Sequence, residues 1–263
     1  MGLYTAEQWT GTHWIDTSGS GNDVTITSGS IIKAATGING HAYIYGNVDS
    51  SLTWPVDILP STYTLFHVAR YNGPTRRSIF NGYSDDNIWV SGFYFGLSGF
   101  AIHDTWQSPS KDCCGSNWVL STDQNDLYRA NGFDKFDDRT QSEVMSSSNR
   151  LAVNIHEWGQ YGDSSDWAIA AVVVFNRTLS DAEISSVERW LAQLYRLSIR
   201  TTDPTKPPSL PPTQPIPPQL QHLPPPTLNA TMTITYPGAL SMDKLSSLNL
   251  TSKPHIISVV SWM

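Results

Sequence analysis

Short apolar runs separated by turn-forming residues make up the first part of the chain, up to about residue 178. In "RLAVNIHEW", Leu151, Val153 and Ile155 alternate with smaller or polar neighbours, and this period of two is typical of a half-buried strand. The run "WAIAAVVVF" at 167–175 is apolar throughout, which favours a central strand covered on both faces. Segments such as "FNGYSDD" supply the residues that tolerate positive φ in turns. The pattern predicts a β-rich domain of two packed sheets.

One helix follows these strands, and its start is visible in the sequence. Ser180 is the predicted N-cap, Glu183 completes a capping box, and Leu179 is placed to pack on Ile184. One apolar stripe then continues at spacings of three and four through Ile184, Val187, Leu191 and Leu194. A lone amphipathic helix after a series of strands predicts a lid on a β-sandwich, because an alternating fold would show several such helices.

The text "VVVFNRTLSDAEISSVERWLAQLY" at 172–195 resembles the closing strand and helix of the concanavalin A-like lectin/glucanase superfamily, in its laminin-G-like branch. The opening segments "WIDTSGSGNDVTI" at 14–26 and "ATGINGHAYIYG" at 35–46 are similar to the first strands of that family. The resemblance spans about residues 8–196. It implies an all-β, two-sheet antiparallel jelly-roll sandwich with one short C-terminal amphipathic helix, whose usual work is binding glycans or proteins. We therefore assign residues 1–200 to this head domain.

A proline-rich linker follows the head over residues 201–227. Eleven of the seventeen prolines lie between positions 203 and 227. Proline fixes φ and removes a backbone donor, so this segment is expected to run as an extended polyproline II arm. At about 3.1 Å per residue, twenty-three such residues would reach about 70 Å. A spacer is favoured over a ligand for proline-binding domains, although two Pro-x-x-Pro registers are present.

The last segment, residues 228–263, has the pattern of a short β-forming tail. It contains the alternating "TMTITY" and the apolar "HIISVVSWM", and it is too short to bury these residues by itself. The tail either folds back on its own head or docks on a sheet or groove of another chain, and the second is favoured. The predicted docking residues are Met232, Ile234, Tyr236, Ile256, Ile257, Val259, Val260 and Trp262.

Charge and composition exclude several classes of partner. The net charge is −7 and no run of Lys or Arg occurs, so no nucleic-acid partner is expected. No stretch of eighteen apolar residues occurs, so no membrane insertion is expected, and no signal peptide is visible. The two cysteines, Cys113 and Cys114, are adjacent and cannot staple distant segments. Two reduced thiols are the favoured state, with a strained vicinal disulfide as the alternative.

Catalysis is not expected from the acidic residues. The catalytic members of the superfamily that the chain resembles carry a Glu-x-Asp-x-x-Glu strand pattern, which places two carboxyls in one cleft. That pattern is absent, and the nearest acids, Glu157, Asp163 and Asp166, have the wrong spacing. His67 and His156 lie in strand patterns and are interpreted as sheet residues rather than metal ligands.

Two polar segments are candidates for binding. In 121–138, Asp123, Asn125 and Asp126 could offer oxygen ligands to Ca²⁺, although a solvated acidic loop is the favoured interpretation. No cofactor is required, and Ca²⁺ is the metal that this segment would accept. In 105–118, Trp106 and Trp118 bracket polar residues, and together with Asn125 they form a candidate carbohydrate site. The alternative is that both tryptophans pack in the core or at its rim.

The leading hypothesis is a non-enzymatic structural protein that links a large assembly, for example a minor capsid or virion surface protein. Its head would be lectin-like, and residues 204–263 would bind other protein subunits. The alternative is a carbohydrate-binding lectin or adhesin with a proline-rich stalk, which would be extracellular.

Overall fold

A computed structural model describes the head and leaves the arm and tail outside the description. The described residues are 1–83, 89–103, 105–106, 114–115, 117–125, 127–134, 150–155 and 163–200. The predicted arm at 201–227, the tail at 228–263 and all eight predicted docking residues therefore lie outside the described residues, as do His156 and Glu157.

The described part of the head consists of antiparallel strands, one 3₁₀ turn and one α-helix. The elements are β1 (Gly2–Thr5), a 3₁₀ turn (Ala6–Gln8), β2 (His13–Trp14), β3 (Val24–Ser28), β4 (Ile32–Ile38), β5 (His41–Gly46), β6 (Ser51–Thr53), β7 (Thr64–Tyr71), β8 (Phe80–Tyr83), β9 (Trp89–Tyr94), β10 (Leu97–His103), β11 (Thr105–Trp106), β12 (Val119–Gln124), β13 (Leu127–Ala130), β14 (Phe133–Asp134), β15 (Arg150–Val153), β16 (Trp167–Phe175) and α1 (Asp181–Tyr195).

The strands form two sheets that pack face to face. Sheet A has the order β14-β13-β12-β7-β16-β5-β4, and β1 also pairs with β16; sheet B has the order β11-β10-β9-β8-β15-β6-β3-β2. Along one edge of β16 runs β7, while the other edge is shared end to end by β5 and β1. Every residue of β16 is buried, as its apolar run predicts. The two-sheet antiparallel sandwich with a C-terminal helix is thus confirmed.

Aromatic residues fill the space between the sheets. The ring centroids of Tyr4, Trp14 and Trp54 lie 5.7 to 6.1 Å apart. The Phe80 centroid lies 6.4 Å from that of Trp54. Such tilted and edge-on pairs add to the burial of the large side chains themselves. Much of the tryptophan content therefore serves the core.

The helix packs on the outer face of sheet A. Ser180 accepts from the Glu183 backbone and Glu183 accepts from the Ser180 backbone, so the predicted capping box is present. Ile184, Val187 and Leu191 are buried against this face, and Leu194 is partly buried there. No helix in the described part of the chain is long and apolar enough to cross a membrane.

The helix also buries one acid that its pattern does not predict. Thr122 Oγ1 donates to Glu188 Oε1 at 2.7 Å, and Arg129 Nη1 lies 3.9 Å from Glu188 Oε2. Burial raises the pKa of Glu188, while the bond from Thr122 and the Arg129 charge oppose that shift. A polar contact thus links the helix to β12 and β13 beneath it.

A polar cluster crosses the core between β10 and β12. His103 Nε2 lies 3.0 Å from Asp123 Oδ1, and both side chains are wholly enclosed. Tyr63 donates to the same carboxylate oxygen at 3.0 Å, and Trp89 Nε1 donates to the Tyr63 hydroxyl at 2.9 Å. Burial, followed by the Asp123 charge, raises the pKa of Tyr63, so its proton stays in place. These groups tie the two sheets together.

His67 is a second buried histidine in the core. Its Nε2 lies 3.1 Å from Ser91 Oγ, and its ring lies 4.2 Å from that of Phe80. A Cβ at Gly92, where φ is +87°, would come within 2.4 Å of the His67 ring, so this position requires glycine. His67 is thus a sheet residue, as predicted, although its Nδ1 has no hydrogen-bond partner among the described residues. Burial lowers its pKa from 6.5 to about 3.

We expect the head to lose stability in acid because of His67. Its pKa in the folded state lies below that of the unfolded chain, so the unfolded chain takes up the proton first as the pH falls. The stability that depends on a neutral His67 ring is fully present above about pH 6.5. Between about pH 6.5 and about pH 3 the free energy of unfolding falls by about 1.4 kcal/mol per pH unit. Urea unfolding of the full chain at about pH 6.5 and about pH 4 measures how much the free energy of unfolding decreases between these pH values. This decrease should be about 3 kcal/mol smaller in His67→Gln than in wild type.

The control is His13→Gln, which removes an exposed histidine. This variant should lose as much free energy of unfolding in acid as wild type. Equal acid losses in His67→Gln and wild type would show that the His67 ring is protonated in the folded head.

Candidate functional site

A cleft of about 490 Å³ opens at the end of sheet A where β5 and β7 meet their following turns. Its lining includes Ile32, Tyr45, Asn47, Asp49, Asn72 and Asp166. The strand register explains part of this position, because Tyr45, Ala168 and Arg70 lie side by side across β5, β16 and β7. Ala168 is fully buried in this row, and Tyr45 is the member of the row that lines the cleft.

Aromatic rings and one guanidinium form the outer wall beside the cleft. The Tyr43 ring lies 5.8 Å from that of Tyr45 and 5.5 Å from that of Trp118. The Arg70 guanidinium lies over both of the outer rings, 5.6 Å from the Tyr43 centroid and 5.0 Å from the Trp118 centroid. Such cation–π contacts stabilise a guanidinium that is partly removed from water. Arg70 Nη2 then donates to Asn72 Oδ1 at 2.9 Å and fixes that amide at the cleft.

Asp166 lines the cleft beside the 72–75 turn. Its backbone exchanges two bonds of 2.9 Å with the 72–75 turn, accepting from the Asn72 amide and donating to the Thr75 carbonyl. Its Oδ2 accepts from the Thr75 amide at 2.9 Å. A Cβ at Gly73 would lie 2.5 Å from Asp166 Oδ2, so glycine is needed for this close approach. The carboxylate is therefore fixed in position before any ligand binds.

The floor of the cleft depends on Asn154, which adopts a positive φ of 55°. The buried Asn154 amide nitrogen lies 2.9 to 3.1 Å from the carbonyl oxygens of Asn47, Ser50 and Ser165. Its Oδ1 accepts from the Ser165 amide at 2.9 Å. One side chain thus joins the 47–50 loop to the segment that leads into β16.

The predicted carbohydrate residues do not form one site. Trp118 lies on the outer face of sheet A beside the cleft, while Trp106 belongs to β11 of sheet B, with a side chain outside the described residues. Asn125 follows the far end of β12, and seven residues at about 3.3 Å place it roughly 23 Å from Trp118. Its amide nitrogen donates to the Ser61 carbonyl. One sugar ring could not contact both Trp118 and Asn125.

The interpretation of 121–138 as a solvated loop is wrong for its described part. Residues 121–124 lie in β12, 127–130 in β13 and 133–134 in β14. Asp123 is enclosed between the sheets beside His103, so its carboxylate is not at a surface where a loop would bind Ca²⁺. Asp126 lies outside the described residues. Within the described ranges, no group of three or more His, Cys, Asp or Glu side chains is arranged to hold a metal.

The favoured expectation of reduced thiols is also wrong, because Cys114 is in a disulfide. Cys113, the other cysteine of the sequence, lies outside the described residues. The Asn131 amide nitrogen lies 3.3 Å from Cys114 Sγ, and Cys114 packs against the core between the sheets. Cys114 is therefore attached to the turn between β13 and β14.

Most of the cleft was missed by sequence reasoning. Tyr45, Asn47 and Asp49 come from one segment, "AYIYGNVDS", whose alternating tyrosines followed by Asn and Asp were the one available signal. Asn72 and Asp166 come from distant parts of the chain, so no local pattern links them to Tyr45.

Comparisons with known proteins identify the fold. No protein-family model matches the chain, and no curated protein matches it. Among solved structures, it is similar to domain 4 of AbnA, a GH43 extracellular arabinanase from Geobacillus stearothermophilus, in complex with arabinotriose. The TM-score is 0.54 at 13% identity, over 74% of this chain and 97% of that domain.

Two larger proteins contain similar domains. Trypanosoma rangeli sialidase in complex with sialic acid gives a TM-score of 0.50 at 13% identity, over 73% of this chain. The chain spans about a third of the sialidase, 32% of its length. The binding domain of Botulinum neurotoxin DC, in complex with rat synaptotagmin II, gives a TM-score of 0.46 at 14% identity, over 73% of this chain and 51% of that one. The likeness to the arabinanase domain and to the sialidase shows the fold alone, a β-sandwich.

We expect Asn154 to be required for the floor of the cleft. Asn154→Gly keeps the positive φ accessible but removes the bonds to the 47–50 loop, leaving buried backbone groups unpaired at about 1–3 kcal/mol each. The free energy of unfolding should fall by about 3 kcal/mol, and Asn154→Ala should lose slightly more because alanine disfavours this φ. Urea unfolding at neutral pH measures both. A loss below about 1 kcal/mol in Asn154→Gly would show that these bonds do not hold the loop.

Proposed function

We propose that the head is a non-catalytic carbohydrate-binding domain of the concanavalin A-like, laminin-G-like type, and that the cleft beside Tyr45 is its binding site. The observation that carries the proposal is the combination, in one cleft, of an aromatic side chain with fixed amide and carboxylate groups.

The chemistry of the lining suits a sugar. The C–H face of a sugar ring packs on an aromatic ring, and its hydroxyls need donors and acceptors at fixed positions. Tyr45 supplies the ring, while Asn47 and Asn72 supply amides that donate and accept. Arg70 holds the Asn72 side-chain amide in place, and Asn154 holds the backbone of Asn47, which lowers the entropy cost of binding.

The fold comparisons support the proposal only in part. One similar domain was solved in complex with arabinotriose, so a domain of this fold occurs in complex with a sugar. The sialidase that contains a similar domain was solved with sialic acid, but the match covers only about a third of that protein. Because one fold hosts many functions, the cleft and not the likeness carries the assignment.

Binding without hydrolysis is the form of the proposal that we favour. Two carboxylates, Asp49 and Asp166, line the cleft, but Asp166 is bonded to the 72–75 turn through its side chain and its backbone. A general acid or nucleophile needs a carboxyl that faces the scissile bond. If the chain released reducing sugar from a bound oligosaccharide, it would be a glycosidase and the proposal of a non-catalytic domain would be wrong.

Removing the aromatic platform should abolish most of the affinity. We expect the full chain to bind members of an array of neutral and acidic oligosaccharides that includes arabinotriose. Tyr45→Ala should weaken binding of the best ligand about tenfold, which corresponds to about 1.4 kcal/mol, whereas Tyr45→Phe should retain most of it. Titration calorimetry measures the dissociation constants.

Phe133→Ala is the matched control for this experiment. Phe133 is 43% exposed and lies on β14, five strand positions from β5, or about 24 Å across the sheet. Its removal should leave glycan affinity unchanged. Equal affinities in Tyr45→Ala and wild type, or binding to no glycan, would contradict the proposed site.

The linking role stays a second prediction, and the tail pattern at 228–263 is the observation that favours it. Under this hypothesis the head is held in a virion or other large assembly through residues 204–263, and Ca²⁺ is not required for docking.

Deleting residues 228–263 should separate the two roles. The shortened chain should keep the glycan affinity and the thermal stability of the head, because the two large core clusters form from residues before position 200. If the linking role is right, the shortened chain should fail to co-sediment with particles that carry the full chain. Equal incorporation of both chains would contradict it.

A further inference from the structure

The charges around the cleft define the class of glycan that it would take. Within the described lining, Asp49 and Asp166 contribute two carboxylates, and no Lys, Arg or His side chain lines the cleft. The chain as a whole carries a net charge of −7. A concave surface with charge of one sign concentrates its field on the ligand.

The nearby cations are committed elsewhere. The Arg70 guanidinium lies over the Tyr43 and Trp118 rings, its Nη2 bonds to Asn72, and its Nε is buried without a hydrogen-bond partner among the described residues. Arg76 lies 5.9 Å from the centre of the Tyr71 ring, and its Nε is 3.4 Å from the Gly73 carbonyl. Neither guanidinium is therefore oriented as the forked anchor that a sugar carboxylate or sulfate would need.

The hydrogen-bonding capacity of the two carboxylates also favours a neutral glycan. Asp49 accepts from the Asn47 amide at 3.3 Å and Asp166 from the Thr75 amide at 2.9 Å, each through one oxygen. A carboxylate accepts hydrogen bonds and cannot donate them. Sugar hydroxyls can donate to it, whereas a uronate, sulfate or sialic acid group presents further acceptors and a like charge.

We infer that the cleft selects neutral glycans and rejects anionic ones, with Asp49 and Asp166 as its specificity-determining residues. This inference rests on the proposed function, since it concerns the same cleft. It assigns Arg70 a positioning role, as the residue that orders Asn72 and the neighbouring rings, and not the role of an anion anchor.

The experiment uses the full chain on a printed array that carries neutral oligosaccharides, arabinotriose included, beside uronate, sulfated and sialylated forms of the same backbones. The best neutral glycan should bind at least about tenfold tighter than its matched acidic form. Raising NaCl from about 20 mM to about 300 mM, which shortens the Debye length from roughly 20 Å to roughly 6 Å, should narrow this ratio by weakening the repulsion.

Asp49→Asn tests the cause, because it removes one exposed charge from the cleft. It should narrow the neutral-to-acidic affinity ratio at least about threefold, whatever it does to the neutral affinity alone. Asp181→Asn is the matched control, because it makes the same change in net charge at an exposed residue. Asp181 lies toward the opposite end of sheet A, where Thr64 bonds to the backbone of Arg177 and Leu179. Its ratio should equal that of wild type.

The outcomes distinguish the two proposals. Acidic forms that bind as tightly as their neutral partners, or an unchanged ratio in Asp49→Asn, would overturn the selectivity while leaving glycan binding in place. Binding to no glycan of either class would overturn the proposed function itself. If the Asp49→Asn variant does not fold, the salt dependence of the neutral-to-acidic affinity ratio in wild type still tests the inference.

Discussion

Burial of β16 on both faces is the constraint on which the rest of the head depends. One face of the strand joins the core between the sheets, and the other joins the layer beneath α1. Nine apolar residues without a solvent face require both covers, because exposing either would return a large apolar area to water. The same strand positions the cleft, since Asp166 immediately precedes it and Ala168 separates Tyr45 from Arg70 in the cross-strand row.

The polar groups enclosed by this packing form the second requirement of the fold. Polar side chains enclosed between packed sheets need hydrogen-bond partners, because burial removes them from bulk water. Asp123, His103 and Tyr63 therefore meet one another across the core, and Asn154 meets the backbone of two loops. Leaving any of these groups without a partner costs more than the bond itself contributes. The cleft thus rests on the same rigid interior that holds the sheets together.

Local signals predicted the elements, but not the long-range contacts. The capping box at Ser180 and the apolar run of β16 depend on neighbours in sequence, so pattern alone located them. The "STDQ" of 121–124 reads as polar loop, yet it is a buried strand because each side chain meets a specific partner. Those partners are Tyr128 for Ser121, Glu188 for Thr122, Tyr63 for Asp123 and Thr64 for Gln124. The cleft was missed for the same reason, since Tyr45, Asn72 and Asp166 come from three distant segments.

The chain leaves the described head at a part of sheet A away from the cleft. After α1 the chain returns across the outer face, where Leu197 and Ile199 pack against the helix layer. The Arg200 amide donates to the Asn131 carbonyl at 2.9 Å, and its guanidinium lies 4.9 Å from the Phe133 ring, beside β13 and β14. The cleft lies at β5, about 24 Å away across the sheet. Because residue 200 is fixed at the far edge, pulling on the following segment would load β13 and β14 rather than the glycan cleft.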